Sequence, residues 1–271
     1  MDKILLTGAG GYLGSRVAVH LQRCNKAFDI LACRLHEIEP GTLHYRYVIH
    51  CAGKNSQSGD VDYYAANVLG TRFLLAGLSN NARVVFVSSR KVYSQTDNAC
   101  VDEQGETYPS DPYGASKLDA ERCLKDRSKE FVVFRAGAMF GHPHRCGRFA
   151  DLALRAALSR HTISLATPSR QEDYLDVDLM AALLTAACED GLHWGHQFNV
   201  TGPVRSLDSI VGALDRVSLE LLSAPISVRL TPLAVPRFPC LDNRKLHAHF
   251  PWFQQLDDEH IFRRMLTEQR R

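Results

Sequence analysis

Tyr113 and Lys117, in the run Tyr113-Gly114-Ala115-Ser116-Lys117, are the residues of this chain whose spacing most clearly suits chemistry. One helical turn separates them, so both side chains lie on one face and can reach the same atom of a bound molecule. A free tyrosine, with a pKa of ~10, is a poor acid or base at neutral pH, but a neighbouring ammonium favours the phenolate and brings its proton into play. Ser89 follows the apolar run Val84-Val85-Phe86-Val87 and offers a hydroxyl able to bind and polarise a reacting oxygen. These three groups suit reversible proton transfer at a carbinol or carbonyl oxygen.

A second motif stands near the N-terminus. Thr7-Gly8-Ala9-Gly10-Gly11-Tyr12-Leu13-Gly14 directly follows the apolar run Ile4-Leu5-Leu6 and opens a helical pattern. Gly8 is expected to make the tight turn, Gly11 to let backbone approach a pyrophosphate, and Gly14 to allow close helix–strand packing. The helix N-terminus then adds N–H donors and positive potential for phosphates. The reading is a dinucleotide cradle over Gly8, Gly10, Gly11, Tyr12, Leu13 and Gly14. At its far end an NAD site usually carries an acidic side chain after the second strand. This chain has Cys33-Arg34 there, and Asp29 falls at the start of that strand. The guanidinium fork of Arg34 suits a 2′-phosphate, so NADP is the expected cofactor, with NAD the alternative.

The elements needed to position these groups are legible as an alternation. Short apolar strands at 4–6, 30–33, 48–51 and 84–87 interleave with helices from residue 12 and over 62–78. A helix over 113–129 and a strand at 131–134 follow. The fold class is α/β: a Rossmann-like doubly wound parallel sheet with a smaller, mixed α/β C-terminal substrate lobe. Residues 1–140 are expected to form the dinucleotide-binding domain and 141–271 the interwoven lobe, with elements from about 173–202 returning to the first domain. The lobe is predicted to hold helices at 148–158, at 177–188 and after Ser206 and Asp257, with strands at 163–165 and 198–200.

The composition, 45% hydrophobic and 23% charged with a net charge of +2, is that of an ordinary globular protein. It gives no field for nucleic acid, and no apolar run approaches a membrane span. The eight cysteines form no CxxC pair and read as small core residues, implying a reducing, cytoplasmic setting. The basic end, with Arg263 and Arg264, reads as a solvated helix face. His142, His144 and Cys146 lack the second ligand pair that a metal site needs, so no metal is expected.

Val87-Ser88-Ser89-Arg90-Lys91-Val92-Tyr93, Asp111-Pro112-Tyr113-Gly114-Ala115-Ser116-Lys117 and the glycine turn together resemble the extended short-chain dehydrogenase/reductase family, especially its nucleotide-sugar epimerases, dehydratases and 4-ketoreductases. His50-Cys51-Ala52-Gly53, Asn67-Val68-Leu69-Gly70-Thr71, the run from Arg135 to Gly141, Asp173-Tyr174-Leu175-Asp176-Val177-Asp178 and Leu241-Asp242-Asn243-Arg244-Lys245-Leu246 extend the resemblance over nearly the whole chain. It implies Ser89, Tyr113 and Lys117 as the catalytic set, with Tyr113 the proton carrier and Lys117 on the cofactor ribose. It further implies Cys51, Ala52, Gly53, Asn67 and Ala136 along the cofactor, and Ser89, Arg90, Met139 and Arg170 toward a substrate. A homodimer is also implied.

The chain departs from the family at several places. Only about a dozen residues separate the second strand from residue 48, little more than the minimum for a crossover, so the adenine end should be remodelled. Arg90 and Lys91 stand where resembling dehydratases carry Asp-Glu, which removes the acid and base of water elimination. With dehydration set aside, the phosphate-bearing, exchangeable cofactor that Arg34 suggests makes reduction of a keto carbon, C4 by resemblance, of a nucleotide-linked deoxysugar the expected activity. A 4-epimerase uses the same side chains, and a non-catalytic cofactor sensor or a reductase of free small carbonyl compounds also remains open.

Overall fold

The computed structural model describes residues 3–55, 61–94, 100–127, 130–141, 157–158, 162–166, 171–231 and 239–268. Six strands form the central sheet: β1 (Ile4–Thr7), β2 (Phe28–Ile30), β3 (Tyr47–His50), β4 (Arg83–Ser89), β5 (Phe131–Ala136) and β6 (Gln197–Val200). Their order is β6-β5-β4-β3-β1-β2 and every pairing is parallel. Side chains alternate between the faces, as the two-residue strand period requires. Ile4, Leu6, Ile49, Val85, Val87, Val132 and Phe134 enter one apolar cluster, whereas Leu5, Val48, Val84, Phe86, Phe131 and Val133 enter another. Both faces are thus covered, which is why the strands read as continuous apolar runs.

Helices α1 (Tyr12–Arg23) and α4 (Val177–Ala186) cover the first face, through Val17, Leu21, Met180 and Leu184. Helices α2 (Gly70–Gly77) and α3 (Pro112–Arg127) cover the second, through Leu74, Leu75, Ala120 and Leu124. The sheet is an α/β doubly wound one. A third cluster lies outside these layers, where α5 (Leu207–Leu222) packs on α7 (Asp258–Glu268) around Phe140 and Tyr174. The short α6 (Arg244–His249) sends Leu246 into the first cluster.

From β1 the chain turns one way to β2 and the other way to β3, so a topological switch point lies between β1 and β3. The shortened connection after β2 contains neither a full helix nor a sheet strand. It runs through a 3-10 turn at Leu35–Glu37 and a single bridge from Leu43 to Leu78. Leu35, Ile38 and Leu43 pack on α2 instead, in space that side chains at Gly70 and Gly77 would fill. β2 is consequently an edge strand.

Several expectations need correction. The helix expected over 62–78 is wound as a π-helix over Tyr64–Leu69 before α2 begins, a departure frequent at functional sites. The cysteines are not uniformly core residues: Cys24, Cys33 and Cys100 are exposed, and Cys188 is buried. The three exposed ones sit just past α1, beyond the edge strand and on a two-residue strand, away from the packed layers. Arg264 is not simply solvated, because it pairs with Asp176 at 2.7 Å and Asp178 at 3.1 Å. Asp178 also accepts from buried Arg16, so ion pairs join α1, the start of α4 and α7. Burial raises the Asp176 carboxyl above its ordinary value, against the opposing pull of Arg264. No helix among the described residues is long and apolar enough to cross a membrane.

Candidate active site

The glycine turn closes at the carboxyl end of β1. Gly8 has φ +74°, and a Cβ there would lie 2.5 Å from the Ala52 nitrogen, so only glycine fits between this turn and the end of β3. The N–H of Gly11 donates to the Gly8 carbonyl at 2.9 Å. A Cβ on Gly14 would overlap that same carbonyl, which makes its role packing of the helix against the turn. A Cβ on Gly11 would meet the Gly8 oxygen at 3.2 Å, whereas one on Gly10 meets nothing within 4 Å. Gly10 thus borders open space, and Gly11 packs closely against the turn. Gly11 caps α1 without a side chain, leaving first-turn N–H groups for an anion. A backbone cradle, an uncapped helix start and a switch-point crevice fit a dinucleotide phosphate. Tyr12 sends its hydroxyl to the Gly141 carbonyl at 3.1 Å, and Leu13 is buried in the core.

The floor of this crevice is a directed chain of hydrogen bonds. The Ala52 N–H donates to Thr7 Oγ1 at 3.2 Å, and the Thr7 hydroxyl faces His50 Nδ1 at 2.7 Å. His50 Nε2 lies 3.0 Å from Thr71 Oγ1, whose own proton goes to the Asn67 carbonyl at 2.7 Å. Because the Thr71 hydroxyl is spent on that carbonyl, the imidazole must donate from Nε2 and accept at Nδ1. Burial drives His50 down to about 3, so the ring stays neutral at physiological pH. Asn67 then ties two sides of the site together. Its Oδ1 accepts from the Lys54 N–H at 2.7 Å and its amide donates to Ser116 Oγ of α3 at 2.9 Å. Gly53 (φ +147°) must be a glycine, since a Cβ would come within 2.6 Å of that Oδ1.

Tyr113 and Lys117 both lie on α3, near its start. Gly114 lets the helix seat directly on the Lys91 carbonyl, which a Cβ would overlap. The Lys91 N–H in turn donates to Ser89 Oγ at 3.2 Å, so the helix start carrying Tyr113 is docked beside Ser89. The phenol ring of Tyr113 stands edge-on to Tyr63, centroids 5.8 Å apart, and 5.8 Å from the Lys91 ammonium, which pairs with Asp111. Lys117 is buried with its ammonium 4.5 Å above the Phe86 ring. Burial lowers its pKa to about 8, only partly countered by Cys51 and Glu121. The Cys51 thiol is itself pushed up to about 12 by burial.

One supporting group escaped the sequence reading although its signal was present: Glu121, a further turn along the Tyr113–Lys117 face. It accepts from Ser88 at 2.6 Å, from Arg135 at 2.8 Å and from Gln197 at 2.9 Å, and it is fully buried. Burial alone would lower the Arg135 guanidinium, but the Glu121 carboxylate outweighs it and holds Arg135 above its ordinary value. Arg135 also donates to the Tyr93 hydroxyl, which donates to Asn199 at 2.8 Å. Ser88 is thereby committed to the structural side of β4, leaving Ser89 on the other.

The remaining expected residues lie around this centre. Ala136 ends β5 opposite Ser89 and Val200. Met139 is half-buried and pairs with Leu175. Arg90 is ion-paired to Asp173, with Glu172 3.8 Å away, welding the end of β4 to the 172–176 segment. Arg34 is exposed beyond β2, its N–H donating to the Glu37 carboxylate at 2.8 Å. Asp29 sits opposite Leu5 inside the ladder, held below the usual carboxylate range by Lys3 and Tyr45. Arg170 and the segment with His142, His144 and Cys146 lie outside the described residues.

Comparison with known proteins fits this geometry. The model of the NAD dependent epimerase/dehydratase family matches residues 28–201. UDP-glucose 4-epimerase of Yersinia pestis is 31% identical over 161 residues, 45% of this chain and 47% of that protein. dTDP-4-dehydrorhamnose reductase of Aggregatibacter actinomycetemcomitans is 26% identical over 180 residues, 61% of this chain and 60% of that protein. The chain thus spans about half the length of the curated relatives it matches. Among solved structures, UDP-glucuronic acid 4-epimerase from Bacillus cereus in complex with UDP-glucuronic acid and NAD superposes with a TM-score of 0.82 at 18% identity, covering 99% of this chain and 100% of that one. RMD from Pseudomonas aeruginosa complexed with NADPH gives 0.81 at 20% identity, covering 99% of each chain. At such identities the likeness is one of fold.

Proposed function

The chain belongs to the NAD dependent epimerase/dehydratase family, and from that membership we propose that it is an NADP(H)-dependent reductase acting on a keto carbon, C4, of a nucleotide-linked deoxysugar. The observation that carries this reading is the docking of the Tyr113 end of α3 beside Ser89, with buried Lys117 one turn on. Gly8, Gly10, Gly11 and Gly14 would cradle the phosphates, with Cys51, Ala52, Gly53 and Ala136 along the groove. When bound, the nicotinamide supplies hydride to the carbonyl carbon. Tyr113 donates its hydroxyl proton to the carbonyl oxygen, and Ser89 hydrogen-bonds that oxygen as charge builds on it. Lys117 holds the resulting phenolate by its positive charge. Met139 faces the substrate, while Arg90, spent on Asp173, fixes the wall.

A 4-epimerase is the second reading, favoured by the named Yersinia relative. The two separate on mass balance. With purified protein, NADPH and a panel of nucleotide-linked 4-keto and 4-hydroxy sugars, a reductase consumes one NADPH per 4-hydroxy product. An epimerase inverts the carbinol with no net consumption. Bound cofactor with neither outcome across the panel would sink both readings and leave a sensor.

Cofactor choice has its own test. Arg34 is exposed beyond β2, and Asp29 is occupied by Lys3 and Tyr45. Arg34→Ala should therefore weaken NADPH by roughly tenfold, the worth of one charge-assisted contact, and leave NADH nearly unchanged. Calorimetric titration with each dinucleotide reads this directly, and equal losses for both would make Arg34 a surface residue.

A further inference from the structure

Outside the active site, one pair of nucleophilic side chains meets in register. A two-stranded parallel ladder joins Cys100–Val101 to Cys240–Leu241, with Cys100 directly opposite Cys240. Register partners leave a ladder on the same face, and neighbouring strands lie ~4.8 Å apart, inside the ~4.4–6.8 Å Cα separation that a disulfide bridges. Both cysteines are free thiols; Cys100 is exposed and Cys240 partly so. The Cys100 thiol is close enough to act electrostatically on that of Cys240.

The ladder is anchored where it stands. The Asp242 N–H donates to the Val101 carbonyl at 2.9 Å, and the Asn199 amide bridges the Val101 and Asp242 carbonyls at 2.9 and 3.3 Å. Asn199 is the partner of Tyr93, and Glu103 accepts the Asn199 N–H at 2.8 Å. The two short strands carrying the cysteines are therefore tied together by a buried amide at the edge of the sheet.

We propose that Cys100 and Cys240 are a redox modification site, forming a reversible disulfide with a low-molecular-weight disulfide as oxidant. The exposed Cys100 thiolate attacks one sulfur of glutathione disulfide, releasing one glutathione thiolate and leaving a mixed disulfide. The Cys240 thiolate then attacks Cys100 Sγ and displaces the second glutathione. The two cysteines lose two electrons and two protons, and the oxidant becomes two thiols. Burial, with the carboxylates of Asp242 at Cys100 and Asp173 at Cys240, pushes both thiols up, so exchange is slow. The product ties the segment leading into α3 to the segment leading into α6, closing a long loop.

The test uses the full chain, incubated with glutathione disulfide and digested without reduction. The expected result is a cross-linked peptide pair containing Cys100 and Cys240, separated by dithiothreitol. It should come with an upward melting shift of roughly 5 °C or more, because long loops gain most from cross-linking. Cys100→Ser and Cys240→Ser should each abolish both the cross-link and the shift. Recovery of the two cysteines as free thiols, or as two separate glutathione adducts, would overturn the proposal, as would a melting shift that survives Cys100→Ser.

Discussion

Replacing Tyr113 with phenylalanine should lower turnover at least ~100-fold, the usual worth of a positioned proton donor, equivalent to ~2.7 kcal/mol of transition-state stabilisation. The substitution removes one hydroxyl and keeps the ring, so the edge-on contact with Tyr63 and the approach of the Lys91 ammonium both survive. The melting temperature and the affinity for the dinucleotide should therefore change little. Loss confined to kcat, with KM and cofactor binding retained, is the pattern of a group used only in the transition state. A variant with full turnover would remove Tyr113 from the chemistry and with it the proposed reaction.

Lys117→Met should move activity and stability in opposite directions. The Lys117 ammonium is almost fully buried, and burial brings its pKa from 10.5 to about 8. A depression of that size corresponds to about 3 kcal/mol spent in keeping the amine charged inside the folded protein at neutral pH. Methionine fills similar space without that charge and should raise stability at pH 7 by a good part of this amount. The pH dependence has a definite sign. Between about 8 and 10.5 the folded state has released the lysine proton while the unfolded chain still holds it, so the Lys117 contribution makes wild-type stability rise with pH across that window. The difference between the two proteins should therefore shrink as pH rises from 8 to 10. Denaturant melts of the cofactor-free proteins at several pH values measure it, and a Lys117→Met variant less stable than wild type at pH 7 would contradict the account. Turnover should fall by ~100-fold or more, since the phenolate loses its neighbouring positive charge. Such a trade of stability for function is common where a strained group serves the chemistry.

The positions of the two supporting networks explain why these side chains can be placed so tightly. Neutral His50 links the glycine turn to Asn67, and Asn67 links the end of β3 to α3. The Glu121–Arg135 pair locks the same helix to β4 and β5 from beneath. A ligand entering the crevice thus meets a rigid frame on both sides of the switch point, which is the arrangement that positioning of reacting groups demands.

The sequence alone determined what depends on local order. The apolar strand runs, the glycine turn at 8–14 and the one-turn spacing of Tyr113 and Lys117 each fix geometry within a few residues and appear where expected, except that the second strand, expected at 30–33, is Phe28–Ile30 and so takes in Asp29. The remodelled connection after the second strand was also readable from its length, close to the minimum for a crossover, and the structure fills it with a 3-10 turn and a single bridge. Only the tertiary structure decided which charged and polar groups are buried. Glu121 and Arg135 look like surface residues in isolation, and Arg90 looks free for a ligand, until strands and helices far apart in the chain supply their partners. The same is true of Cys100 and Cys240, which read as core residues and are instead ladder partners near the surface. Burying a charge or an amide is favourable only when its partners are in place, and those partners are set by which elements pack together, a property that no short stretch of sequence carries.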